Sequence, residues 1–584
     1  MNKKIFNSAK EKLKKLAIEW GKADIYLVGG CVRDLLLGNP VKDIDLCVDL
    51  KDGATLFCEW LQKIHTEECH GFTTFPRFGT SKFVLKVMTK ELDIECVMPR
   101  VEAYKDGPRK PSEVKYTGIA EDAYRRDFCC NALYQNIITD EILDPTGHGK
   151  EDIENRVLRT PLPAKETFID DPLRMLRAFR FSAQKGFKIL DEVLSEIRDY
   201  PEYRSLSMER VQDEFNKILM TNNAVSTIRE LHRTGLLGYI IPELEESWGF
   251  NQNSHYHSMN LTDHTLAVLQ GVIDNDANLQ VRLAALLHDI AKYKCWKKKD
   301  NGEFSYHGHE LESSKLATKI LERLKYPKED IQCISEIIKE HMRIKSLYNP
   351  NTDSYTGSAK TTRRVVRDLG PLLKSTLQLI DADNKAHAPQ YNMPGQVNSF
   401  LAKLDSLSEV QIVRSCPISG NLIMSEFGLT PGPAIKEIKD IFLDWLDEDP
   451  EIPAEELITR LKEITEGIYV WGWWESYRGF CISDNEPIKG KNGITPSPYQ
   501  IPMELGDWVG LSKEITRYPA IQVPRIYFMY QKYKKAKEIF NRAAMVLDEL
   551  FDIPGFNGVK VSFDKYHDLS GEIRWEDRRP DWII

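Results

Sequence analysis

The sequence predicts an α+β protein in which a small N-terminal sheet domain is followed by mostly helical regions. Three observations carry this reading. At 584 residues the chain exceeds the roughly 250 to 300 residues at which a single core stops growing, so it must divide. Short β-branched or apolar runs, separated by turn residues, crowd the stretch before Pro145. From Ile153 onward the apolar residues recur at helical spacing.

The elements follow in order. Ile5, Phe6, Leu13, Leu16 and Trp20 fall at helical spacing among lysines, and Glu11 and Glu19 interrupt any apolar run, which predicts a surface helix rather than a signal peptide. Strands are expected at Ile25–Val28, Ile44–Val48, Phe83–Val87, Leu92–Val97 and Leu133–Ile138. Gly149 and the pair Pro161 and Pro163 punctuate the change to helix. These signals divide the chain into a sheet domain over 1–152, a helical neck over 153–250, a histidine-bearing helical domain over 251–405 and a C-terminal region over 406–584. The last region carries an aromatic cluster (Tyr469, Trp471, Trp473, Trp474, Tyr477), a loop from Lys489 to Pro498 and a basic helix from Tyr530 to Leu550. Clustered aromatics read first as core and second as a base-stacking platform of a nucleic-acid-binding tail.

Composition removes several classes. A formal charge of -9 excludes a surface that is basic throughout, although local basic patches remain open. Eleven cysteines without paired CxxC spacing point to a reducing compartment and no zinc knuckle, with Cys129 and Cys130 in the core. No run reaches the roughly 18 apolar residues of a membrane span, so a soluble, cytoplasmic protein without a membrane partner is expected.

The chemistry concentrates in the sheet domain. Gly29 and Gly30 stand between the apolar run Tyr26–Val28 and a helix opening that contains Arg33. Glycines there let backbone N–H groups approach a triphosphate, and the helix N-terminus and Arg33 add positive potential. Taken alone the pair is also an ordinary tight turn. Asp43 and Asp45 sit two apart on the next strand and therefore share a face. Exposed together, two carboxylates repel unless a cation lies between them, and hard oxygen donors suit Mg²⁺. Asp93 and Glu95 share a face of a later strand, and either is a candidate third acid.

The stretch from Gly29 to Gly38, followed by Lys42 to Leu46, resembles the DNA polymerase β-type nucleotidyltransferase superfamily in its class II tRNA nucleotidyltransferase and bacterial poly(A) polymerase branch. Further matches are Arg125 to Ala132 and Asp144 to Gly147, with His148 where a second glycine is usual, and the segment from Pro99 through Arg100, Glu102 and Tyr104 to Tyr116. The resemblance implies a polymerase β-like head that adds CCA from CTP and ATP to tRNA 3′ ends. Asp43 and Asp45 would hold Mg²⁺. Gly29, Gly30, Arg33, Arg126, Asp127 and Asn131 would bind the nucleotide's triphosphate and ribose.

The stretch Asp170 to Phe181 reads as a helix start with proline in its first turn. Asp171 and Arg174 are three apart and share a face, which on its own is a cap with a local ion pair. The resemblance instead makes Asp171 and Arg174 an amino-acid template and places Arg177 in the nucleotide site, with Ser207 to Val211 supporting them. The chemistry fits, since cytosine and adenine present an amino donor beside a ring-nitrogen acceptor, whereas uracil and guanine present the reverse.

His264, the doublet His288-Asp289, His309, His341 and Asp383 fall in the order of an HD phosphohydrolase domain. Imidazole with carboxylate suits Mn²⁺, Fe²⁺ or Ni²⁺. His264, His288, Asp289 and Asp383 are expected to hold one metal, with His309 and His341 at a second metal or a phosphate. Asn260, where some relatives have Asp, points to a domain kept in structure but altered in substrate. Alternatives within the class are a poly(A) polymerase or an enzyme adding only CC or only A. From another class come an HD phosphohydrolase that uses its N-terminal half only to hold RNA, and a noncatalytic RNA-binding protein. Asp43 and Asp45 weigh against both, because juxtaposed acids repel RNA phosphate.

Overall fold

The computed structural model describes residues 1–103, 113–199, 206–349, 351–352, 354–407, 415–427 and 431–466, with short strand segments between 469 and 504. Tyr104, Trp474, Tyr477, the side chains of Tyr469, Trp471 and Trp473, and the basic helix expected over 530–550 lie outside the described residues. Within the loop expected from Lys489 to Pro498, the described backbone is a two-stranded hairpin, Ile488–Gly490 with Gly493–Thr495.

The N-terminal helix α1 (Lys3–Trp20) forms as its periodicity requires. Asn2 caps it by accepting from the Ile5 N–H, Gly21 ends it at φ 56, and Ile5, Phe6, Ala9, Leu13, Leu16, Ala17 and Trp20 are buried along one stripe. Strand β1 (Ile25–Val28), helix α2 (Gly30–Leu36), β2 (Ile44–Val48) and α3 (Gly53–Ile64) follow. Then come β3 (Cys69–Phe75), β4 (Thr80–Val87), β5 (Lys90–Val97), the hairpin β6 (Arg100–Ala103) and β7 (Glu113–Tyr116), α4 (Ile119–Tyr124), β8 (Tyr134–Asn136) and β9 (Ile142–Leu143).

Seven of these strands make one mixed sheet in the order β3-β4-β5-β2-β1-β8-β9. Only β2 and β5 run parallel. Alternation divides the two faces. Ile25, Leu27, Ile44, Leu46, Val48 and Ile94 enter the main core with α1 and α3, whereas Tyr26, Val28, Cys47 and Tyr134 pack on the other face with Ile119 and Ala123 of α4. Asp45 and Glu95 belong to that second face, and Asp43, expected on the strand, immediately precedes it and is exposed. Strand β3 escapes the sequence reading because Cys-His-Gly-Phe-Thr-Thr-Phe does not alternate.

Helices take over as expected: α5 (Gly149–Asn155), α6 (Ala164–Asp170), α7 (Leu173–Lys185), α8 (Asp191–Asp199), α9 (Met208–Leu219), α10 (Ala224–Arg233), α11 (Leu236–Ile240) and α12 (Pro242–Glu246). The helices of the histidine-bearing region are α13 (Leu261–Asp274), α14 (Leu279–Leu287), α15 (Lys292–Cys295), α16 (His309–Arg323), α17 (Lys328–Glu340) and, beyond α18 (Ala359–Leu369), α19 (Leu373–Lys385). One apolar core runs from Ile5 to Ala386. Buried Arg282 on α14 ties the neck to the histidine-bearing helices by donating to the carbonyls of Leu219 (2.9 Å) and Thr221 (3.2 Å).

The chain divides into two compact units, one of Met1–Tyr355 with Pro371–Ser399, the other of Thr356–Gly370 with Phe400–Ile584. The second has its own core of Ile418, Ile423, Phe427, Ile438, Phe442, Trp445 and Leu461, and there Arg363 of α18 donates to the Asp447 carbonyl at 2.8 Å. Among the described residues no helix is long and apolar enough to cross a membrane.

Candidate active site and metal centre

Gly29 caps α2 at φ 67 and ψ -133, a conformation that L side chains rarely adopt. A Cβ there would also lie 3.3 Å from Arg126 Nη1, so the bare backbone and the Arg126 guanidinium form one side of the site. Parallel pairing sets Asp45 of β2 directly beside Glu95 of β5. Burial, reinforced by Glu95 and Asp43, pushes the Asp45 carboxyl up to about 6. Glu95 is thus the candidate that stands beside Asp45, while Asp93 is exposed farther along β5. Lys82 on β4 stands opposite Glu95 and pairs with it.

Around the acids the cations are held by a connected network. Arg126 donates to Asp122 Oδ2 (3.1 Å) and Tyr134 Oη (3.0 Å). Burial alone would raise the Asp122 carboxyl, but Arg126 and Arg125 hold it down at about 2. Arg33 Nη1 donates to Asn131 Oδ1 at 2.6 Å, Asn131 Nδ2 to Asp127 Oδ1 at 2.9 Å, and Arg177 Nη2 to Asp127 Oδ2 at 2.6 Å. Burial opposes ionisation of Asp127 too, yet Arg177 and Asn131 keep it near 2. The structure thus brings Gly29, Gly30, Arg33, Arg126, Asp127, Asn131 and Arg177 together beside Asp43 and Asp45. His148, at φ -119, adopts a conformation open to any residue, so its replacement of a glycine costs the turn nothing.

Asp171 and Arg174 are each fixed from outside the pair. Asp171 accepts from Arg210 Nη2 (2.7 Å) and caps α7 through the Leu173 N–H (3.2 Å). Arg174 donates to the carbonyls of Thr167 (3.1 Å) and Arg125, the residue before Arg126. Arg210 lies in the expected supporting segment Ser207–Val211 and makes the contact itself.

Glu214, which the motif reading missed, is buried on α9 beneath this network. It pairs with Arg180, and Arg177 Nη1 lies 3.9 Å away. Its place four residues after Arg210, on the same helix face, was the signal available. Glu214→Gln should lower stability by about 2–4 kcal/mol, since buried arginine then loses its counter-charge. It should also raise the nucleotide KM several-fold by releasing Arg177 from its position. Thermal denaturation and incorporation kinetics check the two effects; a full-stability, full-affinity variant would separate Glu214 from Arg177.

The second cluster gathers side chains from helices far apart in sequence. His264 lies on α13, His288 and Asp289 follow α14, His309 opens α16, His341 ends α17 and Asp383 is on α19. All are buried. Each histidine Nδ1 faces a main-chain carbonyl: Ala386 for His264 (3.4 Å), Ala285 for His288 (2.8 Å), Tyr306 for His309 (2.7 Å) and Ile338 for His341 (2.5 Å). A carbonyl only accepts, so Nδ1 carries the proton and each Nε2 turns a lone pair toward the centre.

These atoms form two groups able to hold a metal, His264 with His288 and Asp383, and Asp289 with His309 and His341. Asp289 reaches both. Its Oδ2 lies 3.1 Å from His288 Nε2 and 3.4 Å from His264 Nε2, and its Oδ1 lies 3.2 Å from His309 Nε2. Yet His264 Nε2, His288 Nε2 and Asp289 Oδ1 have no hydrogen-bond partner. Buried lone pairs converging without donors are costly, and a cation resolves them. Lys292 Nζ stands 2.6 Å from Asp289 Oδ2, and Lys345 pairs with Asp383. Burial opposes ionisation of both acids, but His288 and Lys292 keep Asp289, and Lys345 and His387 keep Asp383, well below the usual carboxylate range. Neither lysine was singled out from sequence, although Lys292 follows Asp289 at helical spacing.

Asn260 lies outside this centre. It caps α13, accepting from the Asp263 N–H and donating to Asp263 Oδ2, both at 2.8 Å. Asp could accept from the Asp263 N–H but could not donate to its carboxylate, so the exchange bears on the helix end and on no candidate ligand.

Comparison with known proteins agrees with this geometry. A model of the poly A polymerase head domain matches residues 25–159, one for the probable RNA and SrmB-binding site of polymerase A matches 186–247, and one for the HD domain matches 261–384. The chain is 31% identical over 426 residues to the A-adding tRNA nucleotidyltransferase of Deinococcus radiodurans, covering 70% of this chain and 89% of that one. It is 35% identical over 326 residues to the multifunctional CCA protein of Haemophilus influenzae, covering 52% and 71% respectively. Its fold resembles the Bacillus stearothermophilus CCA-adding enzyme in complex with CTP, with TM-score 0.56 and 21% identity over 80% of this chain and 98% of that one. With its polymerase β-like head, RNA-binding neck and HD domain in that order, the chain belongs to the tRNA nucleotidyltransferase and poly(A) polymerase family.

Proposed function

We propose that this protein adds CCA, from CTP and ATP, to tRNA 3′ ends in the cytoplasm without a nucleic-acid template. The observation that carries the reading is the trio Asp43, Asp45 and Glu95 at an open sheet face beside the Gly29 turn. These hard oxygen donors suit Mg²⁺, which when bound neutralises phosphate charge and activates the primer's terminal hydroxyl. Gly29, Gly30, Arg33 and Arg126 hold the triphosphate, and Asp127 and Asn131, braced by Arg177, hold the ribose side. Asp171 accepts from the amino group of C or A, while Arg174 donates to the ring nitrogen. Uracil and guanine leave both groups unpaired, which rejects them by factors of up to roughly 10⁴.

Incubation with tRNA lacking its 3′ end and each nucleotide singly, followed by product sequencing, should show two C additions and then one A. Addition of A alone, and only to tRNA already ending in CC, is the outcome of a second reading, which the 89% coverage of the A-adding relative favours. A homopolymeric A tail would make the protein a poly(A) polymerase. Arg174→Ala should lower CTP and ATP use about ten- to hundred-fold, the loss of a charge-assisted hydrogen bond, and relax discrimination against UTP and GTP. Unchanged selectivity with full activity would leave Asp171 and Arg174 as a helix cap.

The HD centre hydrolyses phosphate esters, such as phosphates and 2′,3′-cyclic phosphates at RNA ends. Its imidazole and carboxylate donors suit Mn²⁺, Fe²⁺ or Ni²⁺, which would supply hydroxide near neutral pH. Support comes from the unpartnered Nε2 atoms and Asp289 Oδ1.

A further inference from the structure

Two segments border the HD centre on one side, residues 254–259 and residues 386–391. Each turns one histidine toward the ligands. The His257 ring lies 4.9 Å from that of His264, the His387 ring lies 5.7 Å from it, and the two lie 4.9 Å from each other. Moving outward, both segments become aromatic. The ring centroids of His255 and Tyr256 are 3.9 Å apart, those of His255 and Tyr391 5.0 Å, and those of Tyr256 and Tyr391 4.9 Å.

This cluster is at the surface, with Tyr256 47% exposed, where ring packing does not serve a core. It is nevertheless fixed. Ala388 N donates to the Tyr256 carbonyl at 3.0 Å, and His255 Nδ1 lies 2.7 Å from Glu303 Oε1. Inside the rings, Lys292 Nζ lies 3.5 Å from His257 Nε2 and 2.6 Å from Asp289 Oδ2, so one ammonium joins the inner histidine to the metal ligands. From the surface inward the two segments therefore run from aromatic rings to His257 and His387, which adjoin the Lys292 ammonium and the ligand His264. A nucleotide presents base and phosphate in the same sequence.

We propose that His255, Tyr256 and Tyr391 form a platform on which the nucleobase of the scissile ester stacks. The platform selects nucleotides and RNA ends over phosphate esters that have no base. The proposal rests on the hydrolytic reading of the HD centre, in which water adds to phosphorus, one P–O ester bond breaks and the proton passes to the leaving oxygen. Stacking tolerates any base, because every base has a π-face.

The test compares wild type, Tyr256→Leu, Tyr391→Leu and Tyr256→Phe on 2′,3′-cyclic AMP and on glycerol 2-phosphate, an ester with no ring to stack, and titrates chelator-treated protein with AMP. The leucine variants should raise KM for cyclic AMP about ten-fold, leave glycerol 2-phosphate turnover unchanged and weaken a component of AMP binding by a similar factor. Tyr256→Phe should behave as wild type, since stacking needs the ring and not the hydroxyl. Equal losses on both substrates, or an unchanged cyclic AMP KM, overturn the platform while the hydrolytic reading stands. A wild type that hydrolyses neither substrate removes the hydrolytic reading, and AMP binding undiminished in Tyr256→Leu then overturns the platform as well.

Discussion

Asp45→Ala should reduce CMP and AMP incorporation by about a thousand-fold or more while leaving tRNA affinity within a few-fold of wild type. Asp45 is flanked by Glu95 in register and by Asp43 two residues earlier, so its removal opens the middle of the proposed Mg²⁺ site. The same acids repel RNA phosphate, so losing one does not weaken tRNA binding. That binding should fall with added salt in both proteins, because tRNA contact is mainly to phosphate. Single-turnover incorporation and filter binding measure the two quantities, and comparable incorporation by the variant would remove the acid trio from the chemistry.

Asp289→Ala should empty both HD metal positions, whereas His309→Ala should empty one. The reason is the divided carboxylate, with Oδ2 turned to His264 and His288 and Oδ1 to His309. Metal content by mass spectrometry, with hydrolysis of p-nitrophenyl phosphate, reads the result. Retention of a full metal equivalent by Asp289→Ala would show that the carboxylate does not bridge. The double variant His288→Ala with Asp289→Ala should lose hydrolysis yet keep CCA addition, because the two sites share no residue.

Local spacing made Asp43 and Asp45 legible, since a strand sends alternate residues to one face whatever it pairs with. Choosing Glu95 over Asp93 required the parallel pairing of β2 with β5, which no local pattern encodes. Likewise the order of His264, His288, Asp289, His309, His341 and Asp383 suggested a metal centre through resemblance. The position of Asp289 between the two groups appears only when helices α13, α14, α16 and α17 converge. For Asn260 the sequence offered only a departure from relatives, and its capping role appears once its side chain is seen to turn back onto Asp263. Arg210 and Glu214 act across helices, so their partners Asp171 and Arg180 were invisible in one-dimensional spacing.

The uninterrupted core from Ile5 to Ala386, with Arg282 buried against the end of α9, bears on how the two chemistries can be lost in evolution. A few substitutions among the HD ligands would silence hydrolysis without disturbing the head. Deleting the HD helices, however, would strip apolar surface from the neck that positions Arg174 and Arg177, and nucleotide addition would fail with it. Selection on tRNA repair alone therefore retains the helices of the second domain after its metal ligands have drifted. A descendant of this protein that no longer hydrolyses anything should still carry α13, α14, α16 and α17 as inert scaffold.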